Sequence, residues 1–254
     1  MEMDKTKGIM KTFIAFAAAV LISVPAAAQL SYKWTPVAID SSYSEIKDST
    51  ATMIIRKYDP MLSSLYEVIG RSEDEYTAKR PESGLSNFVA DIIRERAEKE
   101  CGRKVHAAMT NFGGIRTSLP KGDITMYDIL SIFPFENRIE VFDIKGSELV
   151  KFFDSNAGNP EALSGVKLVV ESGKVTFLEV DGAPVDPGKT YTFATIDFLL
   201  KGGDGVRFNG MENRVNTGVL IREAIEDHIR RETAEGRTIS LKKDGRVVFK
   251  RAVK

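Results

Sequence analysis

A single cysteine, Cys101, stands in the 254 residues. No disulfide can close within the chain, so its stability must come from a packed core. Histidine is nearly as scarce, with only His106 and His228, and neither sits in an Asp-x-His, Gly-Asp-x-x-Asp or Asn-His setting. A two-metal hydrolase needs several clustered ligands of those types, and the sequence does not supply them. Both histidines read better as packing groups: His106 lies in an apolar strand run, and His228 shares a stripe with Ile221, Ala224 and Ile225. Net charge is also missing. Thirty-six basic residues balance thirty-six acidic ones, which leaves no field to draw in a nucleic-acid polymer or an anionic membrane surface. No stretch reaches the ~20 apolar residues that a membrane span requires. There is no G-x-S-x-G elbow, and the glycine-rich turn at 202–205 is followed by Val206 rather than lysine. Those absences exclude an α/β-hydrolase nucleophile and a Walker-type phosphate loop. Cys101 ends an amphipathic helix beside Gly102 and reads as a boundary thiol, and Glu73 and Asp74 read as solvated surface. No internal repeat or low-complexity segment is present.

What is there is an ordinary globular balance, 43% hydrophobic and 28% charged, behind an export signal. Lys5, Lys7 and Lys11 make a positive n-region, Thr12 to Val24 a short apolar h-region, and Ala26-Ala27-Ala28 before Gln29 an A-x-A cleavage site. Residues 1–28 are therefore expected to be a Sec-type signal peptide, and the mature protein periplasmic or extracellular. No cysteine follows the expected cut, which argues against a lipid anchor there. Residues 29–65 read as an N-terminal arm with helical character, and 66–254 as the main domain.

Within that domain, Leu85, Phe88, Val89, Ile92, Ile93 and Ala97 have the spacing of one helix face, with Ser83 as N-cap and Gly102 as stop. A strand is expected over 105–109, a short helix over 126–132, a strand over 138–144, and then a helix with Leu149, Val150 and Phe153 on one side. Beyond Gly165 the pattern turns β-rich: 166–170, 175–180, an Asp181-Gly182 turn and 191–195. A helix over 219–231 and a closing strand over 246–250 complete an α+β reading, a mixed sheet flanked by helices.

Three element ends carry polar groups in loops shaped by glycine or proline. After the apolar run at 105–109 come Asn111, Gly113, Gly114 and Arg116. Glycines there let the backbone turn and approach a ligand closely, and a guanidinium offers a planar fork suited to phosphate or carboxylate. Residues 132–137 read "IFPFEN", and 195–206 read "TIDFLLKGGDGV", with Phe198 six positions before Asp204. Taken singly, these are a packing aromatic and a tight turn. Taken together, two rings can sandwich a planar base, a carboxylate can accept from ribose hydroxyls, and an arginine can hold a phosphate.

These stretches also resemble a known family. "NFGGIR" at 111–116, "GDITMYDILSIFPFEN" at 122–137 and "FLLKGGDG" at 198–205 are similar, in order and spacing, to the C-terminal domain of 5'-nucleotidases. "IKGSELVKFFD" at 144–154 and "ESGLSNFVADII" at 82–93 extend the likeness, which covers roughly residues 60–225. The resemblance implies that Phe135 and Phe198 stack on the nucleobase and that Asn137 lies beside the base edge. It also implies that Asp204 binds the ribose hydroxyls, that Arg116 binds phosphate and that Asn111 lies near the scissile phosphate. The family carries further basic groups before its leading helix. Here that region reads "AKRPESG", which makes Lys79 or Arg80 the candidate.

Full-length members begin with a metallophosphatase domain that supplies two metals and the attacking water, and nothing in this sequence matches it. No catalytic residue, metal ligand or cofactor is therefore assigned to this chain. The resemblance implies the nucleoside-monophosphate-binding half of an exported 5'-nucleotidase, with divalent metals carried by a separately encoded metallophosphatase subunit. The alternatives are a stand-alone nucleotide- or nucleoside-binding protein and an interaction module with an unused pocket.

Overall fold

The computed structural model describes residues 49–250. The expected signal peptide and residues 29–48 of the expected arm lie outside the described residues. The chain divides into two compact units, 1–53 and 54–254, and every candidate ligand residue belongs to the second. The described part opens with helix α1 (Ser49–Leu62) and a 3-10 turn (Ser63–Tyr66), followed by strand β1 (Val68–Ser72).

Helix α2 (Gly84–Cys101) matches the sequence expectation at both ends. The Ser83 side chain accepts from the Ser86 amide, Ser86 returns a bond to the Ser83 amide, and Gly102 closes the helix at φ 64°. Its stripe of Leu85, Val89, Ile92, Ile93 and Ala97 is buried. Strand β2 (Ala107–Thr110) begins two residues later than expected, because the Val105 amide is taken by the Glu98 carboxylate at 2.9 Å rather than by a neighbouring strand. A 3-10 turn (Phe112–Gly114) and β3 (Gly122–Thr125) lead into α3 (Met126–Ile132), which is capped by Thr125 and Asp128.

Strand β4 (Arg138–Lys145) and helix α4 (Gly146–Ser155) follow. On α4 the buried side chains are Leu149, Phe152 and Phe153. Phe152, not Val150, completes that face, because its ring stacks on Phe208 at 4.2 Å. Next come β5 (Ala162–Ser164), β6 (Val166–Glu171), β7 (Lys174–Val180), β8 (Ala183–Pro184) and β9 (Thr190–Ile196). Asp181 and Gly182, both at positive φ, make the expected turn between β7 and β8. The chain closes with α5 (Asp197–Leu200), a 3-10 turn (Gly203–Gly205), β10 (Glu212–Leu220), α6 (Ile221–Ala234) and β11 (Val247–Lys250). Residues 219–220 end a strand, so the last long helix starts at Ile221 rather than at 219.

The central sheet has the order β10-β4-β9-β2-β5. A second sheet runs β11-β6-β7-β8, and β1 pairs with β3. Both larger sheets are mixed: β2 runs parallel to β9 and β11 parallel to β6, while the other pairs are antiparallel. Strands β4 and β9 are buried along nearly their whole length, so both faces of the central sheet are covered. Phe142 of β4, Phe193 of β9, Phe152 and Phe208 form an aromatic cluster with ring centroids 4.2–5.6 Å apart. The fold is thus α+β, mixed sheets flanked by helices, as the sequence indicates.

This topology positions the loops of interest. β2 and β9 are parallel neighbours, so both finish at the same edge of the sheet, and β4, antiparallel to β9, begins there. The loops after β2, before β4 and after β9 therefore gather at one end. Those are the three loops that carry the candidate ligand residues.

Candidate functional site

Asn111 follows directly on β2 and is 4% exposed. Its Nδ2 donates to Asp204 Oδ2 at 2.6 Å, a bond between residues 93 apart in sequence that ties the loop after β2 to the loop after β9. The pairing also fixes the amide's orientation, since the reversed amide would set two oxygens against each other. Asn111 Oδ1 is then buried with no hydrogen-bond partner among the described residues. It faces Gly114, where an added Cβ would come within 2.8 Å of it. A buried acceptor without a donor is uncommon in a folded protein, and here it sits beside the loops that the sequence marks for a ligand.

Asp204 is held at φ 53° in the 3-10 turn, a backbone state that aspartate tolerates better than most residues. Its carboxylate is exposed apart from the bond to Asn111. Phe198, on the short helix α5, packs its ring against Gly203 so closely that a Cβ there would lie 2.3 Å from it. Phe135, in the loop before β4, is 48% exposed and Phe198 is 40% exposed. Neither ring pairs with another aromatic among the described residues. The guanidinium of Arg116 lies 6.0 Å from the centre of the Phe135 ring and donates to the Gly113 carbonyl at 3.3 Å. It makes no ion pair among the described residues.

Asn137 contributes its backbone carbonyl to the Ile221 amide at 3.1 Å, which places its loop against the start of α6. Lys79 is exposed and has no ion pair among the described residues. Arg80 is committed: Nη2 donates to Glu161 Oε1 and Nη1 to the Pro160 carbonyl, each at 2.6 Å, and the guanidinium lies 4.5 Å over the Phe112 ring. The structure thus brings Asn111, Asp204, Arg116, Phe135 and Phe198 to one edge, with Arg80 beside the same loop through Phe112.

Two carboxylates escape the sequence reading. Glu161 is 7% exposed, and its other oxygen accepts from the Phe112 amide at 2.8 Å. Asp197 accepts from the Arg138 amide at 3.0 Å and from Lys201 Nζ at 2.7 Å, joining the loop after β9 to the start of β4. Neither carries a motif signal; each acts through a partner distant in sequence. Burial of Asp197 favours its neutral form, but the Lys201 ammonium and the Arg138 and Phe198 amides outweigh this and hold the carboxyl below its ordinary value. The unfolded chain then binds the extra proton more readily, so the contribution is present above the ordinary carboxylate value near 3.8 and is lost as pH falls through the lower folded one. Asp197→Asn is expected to melt below wild type at pH 6, with the gap closing as the pH drops below about 3.8. A gap independent of pH in thermal melts would count against this account.

Two concavities lie away from these loops. One, of about 240 Å³ between α2 and α6, is lined by Glu95, Arg96, Asp227, His228 and Arg231. Its guanidiniums are already paired, Arg96 with Glu100 and Asp227, and Arg231 with Glu95. His228 is not on a purely apolar stripe: it stands edge-on to Phe88 with Glu95 3.6 Å from its Nδ1. The other, of about 490 Å³, adjoins Arg246, which is paired with Asp91 and Asp244. Neither offers the open guanidinium and exposed rings found at the sheet edge. Among the described residues no three His, Cys, Asp or Glu side chains come together as a metal site. No helix among them is long and apolar enough to cross a membrane.

Comparisons with known proteins bear on the family and the fold. The profile described as "5'-nucleotidase, C-terminal domain" matches residues 68–212, which include every candidate ligand residue. Protein UshA of Escherichia coli K12 is 33% identical over 133 residues, covering 50% of this chain and 24% of that protein. The 5'-nucleotidase of Vibrio vulnificus is 26% identical over 204 residues, 75% of this chain and 36% of that protein. Among solved structures, the 5'-nucleotidase precursor of Thermus thermophilus superposes with a TM-score of 0.66 at 25% identity, over 80% of this chain and 43% of that one. The chain covers less than half the length of each of these relatives. The profile covers more than half of the chain, and the chain belongs to the 5'-nucleotidase C-terminal domain family.

Proposed function

We propose that this chain is the nucleoside 5'-monophosphate-binding half of an exported 5'-nucleotidase whose chemistry is supplied by a separate metallophosphatase chain. The observation that carries the reading is the Asn111–Asp204 bond, which joins two of the loops that also bring up Phe135 and Phe198, two half-exposed rings with no aromatic partner among the described residues. In this reading Phe135 and Phe198 hold the base between them, with Asn137 at its edge. Asp204 accepts from the ribose hydroxyls. Asn111 Oδ1 gains the donor that it lacks, and Arg116, with Lys79 or Arg80, faces the phosphate.

A metal pair needs convergent carboxylate and imidazole ligands, and the described residues do not fit one. The reading places the divalent metals and the attacking water on the partner, which corresponds to the part of the relatives that this chain does not span. No metal or other cofactor is assigned to this chain, and the expected signal at 1–28 sends it to the periplasm or the exterior.

Calorimetric titration of the chain from residue 29 with AMP, adenosine and inorganic phosphate, alongside phosphate release with and without Mn²⁺, tests the proposal. AMP is expected to bind without turnover. Robust phosphate release by the chain alone, or binding of neither AMP nor adenosine, would overturn it. Phe198→Ala is expected to weaken AMP by about tenfold, within the ~1–3 kcal/mol attributed to one base–aromatic stack. An unchanged AMP affinity in the same titration would remove Phe198 from the base platform.

A further inference from the structure

We infer that Glu161 is the positioning residue of this site, fixing the Phe112–Gly114 turn from behind and holding Arg80 as a structural cation rather than a ligand. The inference begins with strand register. Thr110, the last residue of β2, pairs with Ala162, the first of β5. The residue before Ala162 therefore stands next to the point where the chain leaves β2 for the ligand loop, and that residue is Glu161.

Its carboxylate is buried and spends its two oxygens on different partners: Oε2 accepts the Phe112 amide at 2.8 Å, and Oε1 accepts Arg80 Nη2 at 2.6 Å. A buried carboxylate held in this way needs both partners, because removing either leaves charge or a polar group uncompensated. Arg80 answers on three sides, bonding Glu161 and the Pro160 carbonyl through its terminal nitrogens while its face covers the Phe112 ring. Neither terminal nitrogen is idle.

The turn so clamped is the reference for the other ligand groups. Gly114 faces Asn111 Oδ1, a Cβ on Gly113 would lie 3.5 Å from Asp204 Oδ2, and the Gly113 carbonyl receives Arg116. Displacing Phe112 moves all three. Both adjacent basic residues reach solvent, but Arg80 is spent on Glu161 and Pro160 while Lys79 has no ion pair among the described residues, and Lys79 is the one left for an anion.

Only the assignment of ligand groups rests on the nucleotide reading, so the experiment carries one readout that does not. Affinities for AMP and adenosine, and hydrogen exchange at the Phe112–Gly114 amides, are compared for wild type, Glu161→Ala, Glu161→Gln, Arg80→Met and Lys79→Ala, well below the melting temperature. Glu161→Ala is expected to speed Phe112 exchange and to weaken both ligands together by about tenfold or more, the scale of a lost charge-assisted bond. Glu161→Gln, whose amide oxygen can still accept the Phe112 amide, should fall between it and wild type. Arg80→Met should weaken AMP and adenosine in equal proportion, and Lys79→Ala should weaken AMP alone.

A loss confined to AMP in Arg80→Met would make Arg80 the phosphate ligand and overturn the inference. Glu161 variants with altered melting but unchanged affinity and unchanged exchange at Phe112 would overturn it too. If wild type binds neither ligand, the nucleotide reading fails, and exchange at Phe112 still decides whether Glu161 positions the turn. Should Glu161→Ala not fold, Glu161→Gln and Arg80→Met answer the same question.

Discussion

Replacing Asp204 with alanine is expected to weaken AMP and adenosine alike by about a hundredfold, close to 3 kcal/mol. Two losses combine. The carboxylate has one oxygen on Asn111 and the rest of its accepting capacity open to solvent, the disposition that a pair of vicinal hydroxyls requires. Hydrogen bonds to a charged acceptor contribute about 1.5–3 kcal/mol. The second loss is internal: Asn111 is buried and its Oδ1 already lacks a partner among the described residues, so removing Asp204 strands the Nδ2 end as well. An amide unpartnered at both ends no longer has a reason to hold its rotamer.

Asp204→Asn separates the two. Its amide oxygen can still accept from Asn111, which keeps the bridge between loops, while the charge and the free acceptor capacity are gone. Titration with AMP and with its 2',3'-dideoxy analogue reads the difference. Wild type should prefer AMP, Asp204→Asn should lose that preference while binding the dideoxy compound as wild type does, and Asp204→Ala should bind both poorly. If Asp204→Asn weakened the dideoxy compound as much as AMP, the carboxylate would have no specific relation to the ribose hydroxyls.

The same residues show what a sequence can and cannot disclose. Helix α2 was legible because its caps and its stripe are local: Ser83, Ser86 and Gly102 act within one turn of the helix ends. Strand β10 was not, since its nine residues, ENRVNTGVL, are mostly polar and exposed, and among the described residues it forms a sheet edge, pairing only with β4. An edge strand of that kind has no alternation to read. Its place is set from outside, by Arg214 and Asn216 reaching the buried Glu140.

The ligand loops divide in the same way. Asn111, Arg116, Phe135, Phe198 and Asp204 stand out because each is a polar or aromatic group at the end of an element, in a glycine or proline setting. The choice between Lys79 and Arg80 could not be made from sequence. It turns on Glu161, 81 residues from Arg80, whose setting between Pro160 and Ala162 has no local signature. Sequence pattern exposes the groups that would face a ligand, whereas the groups that hold them in place act through register.

Gly165→Ala is expected to be strongly destabilising, costing about 4 kcal/mol and lowering the melting temperature by roughly 10 °C. Gly165 is the lone residue between β5 of the central sheet and β6 of the second, at φ +67°. A Cβ there would lie 2.3 Å from the His106 carbonyl oxygen and 3.3 Å from the Ala107 Cα, both backbone atoms. Neither can swing aside as a side-chain tip would. The left-handed backbone alone accounts for about 1–2 kcal/mol, and the remainder comes from moving one strand away from another.

Gly182 provides the control, because it has a similar φ of +77° but nothing within 4 Å of an added Cβ. Gly182→Ala should therefore show the backbone cost without the overlap, a drop of about 3–5 °C. The displaced atoms belong to the segment that enters β2, and β2 ends next to Asn111, so the same substitution at Gly165 should also loosen the Asn111–Asp204 bridge and speed exchange at the Phe112 amide. Equal melting losses for the two glycine variants would mean that the His106 carbonyl yields freely and that the junction between the sheets is not what holds the ligand loop in register.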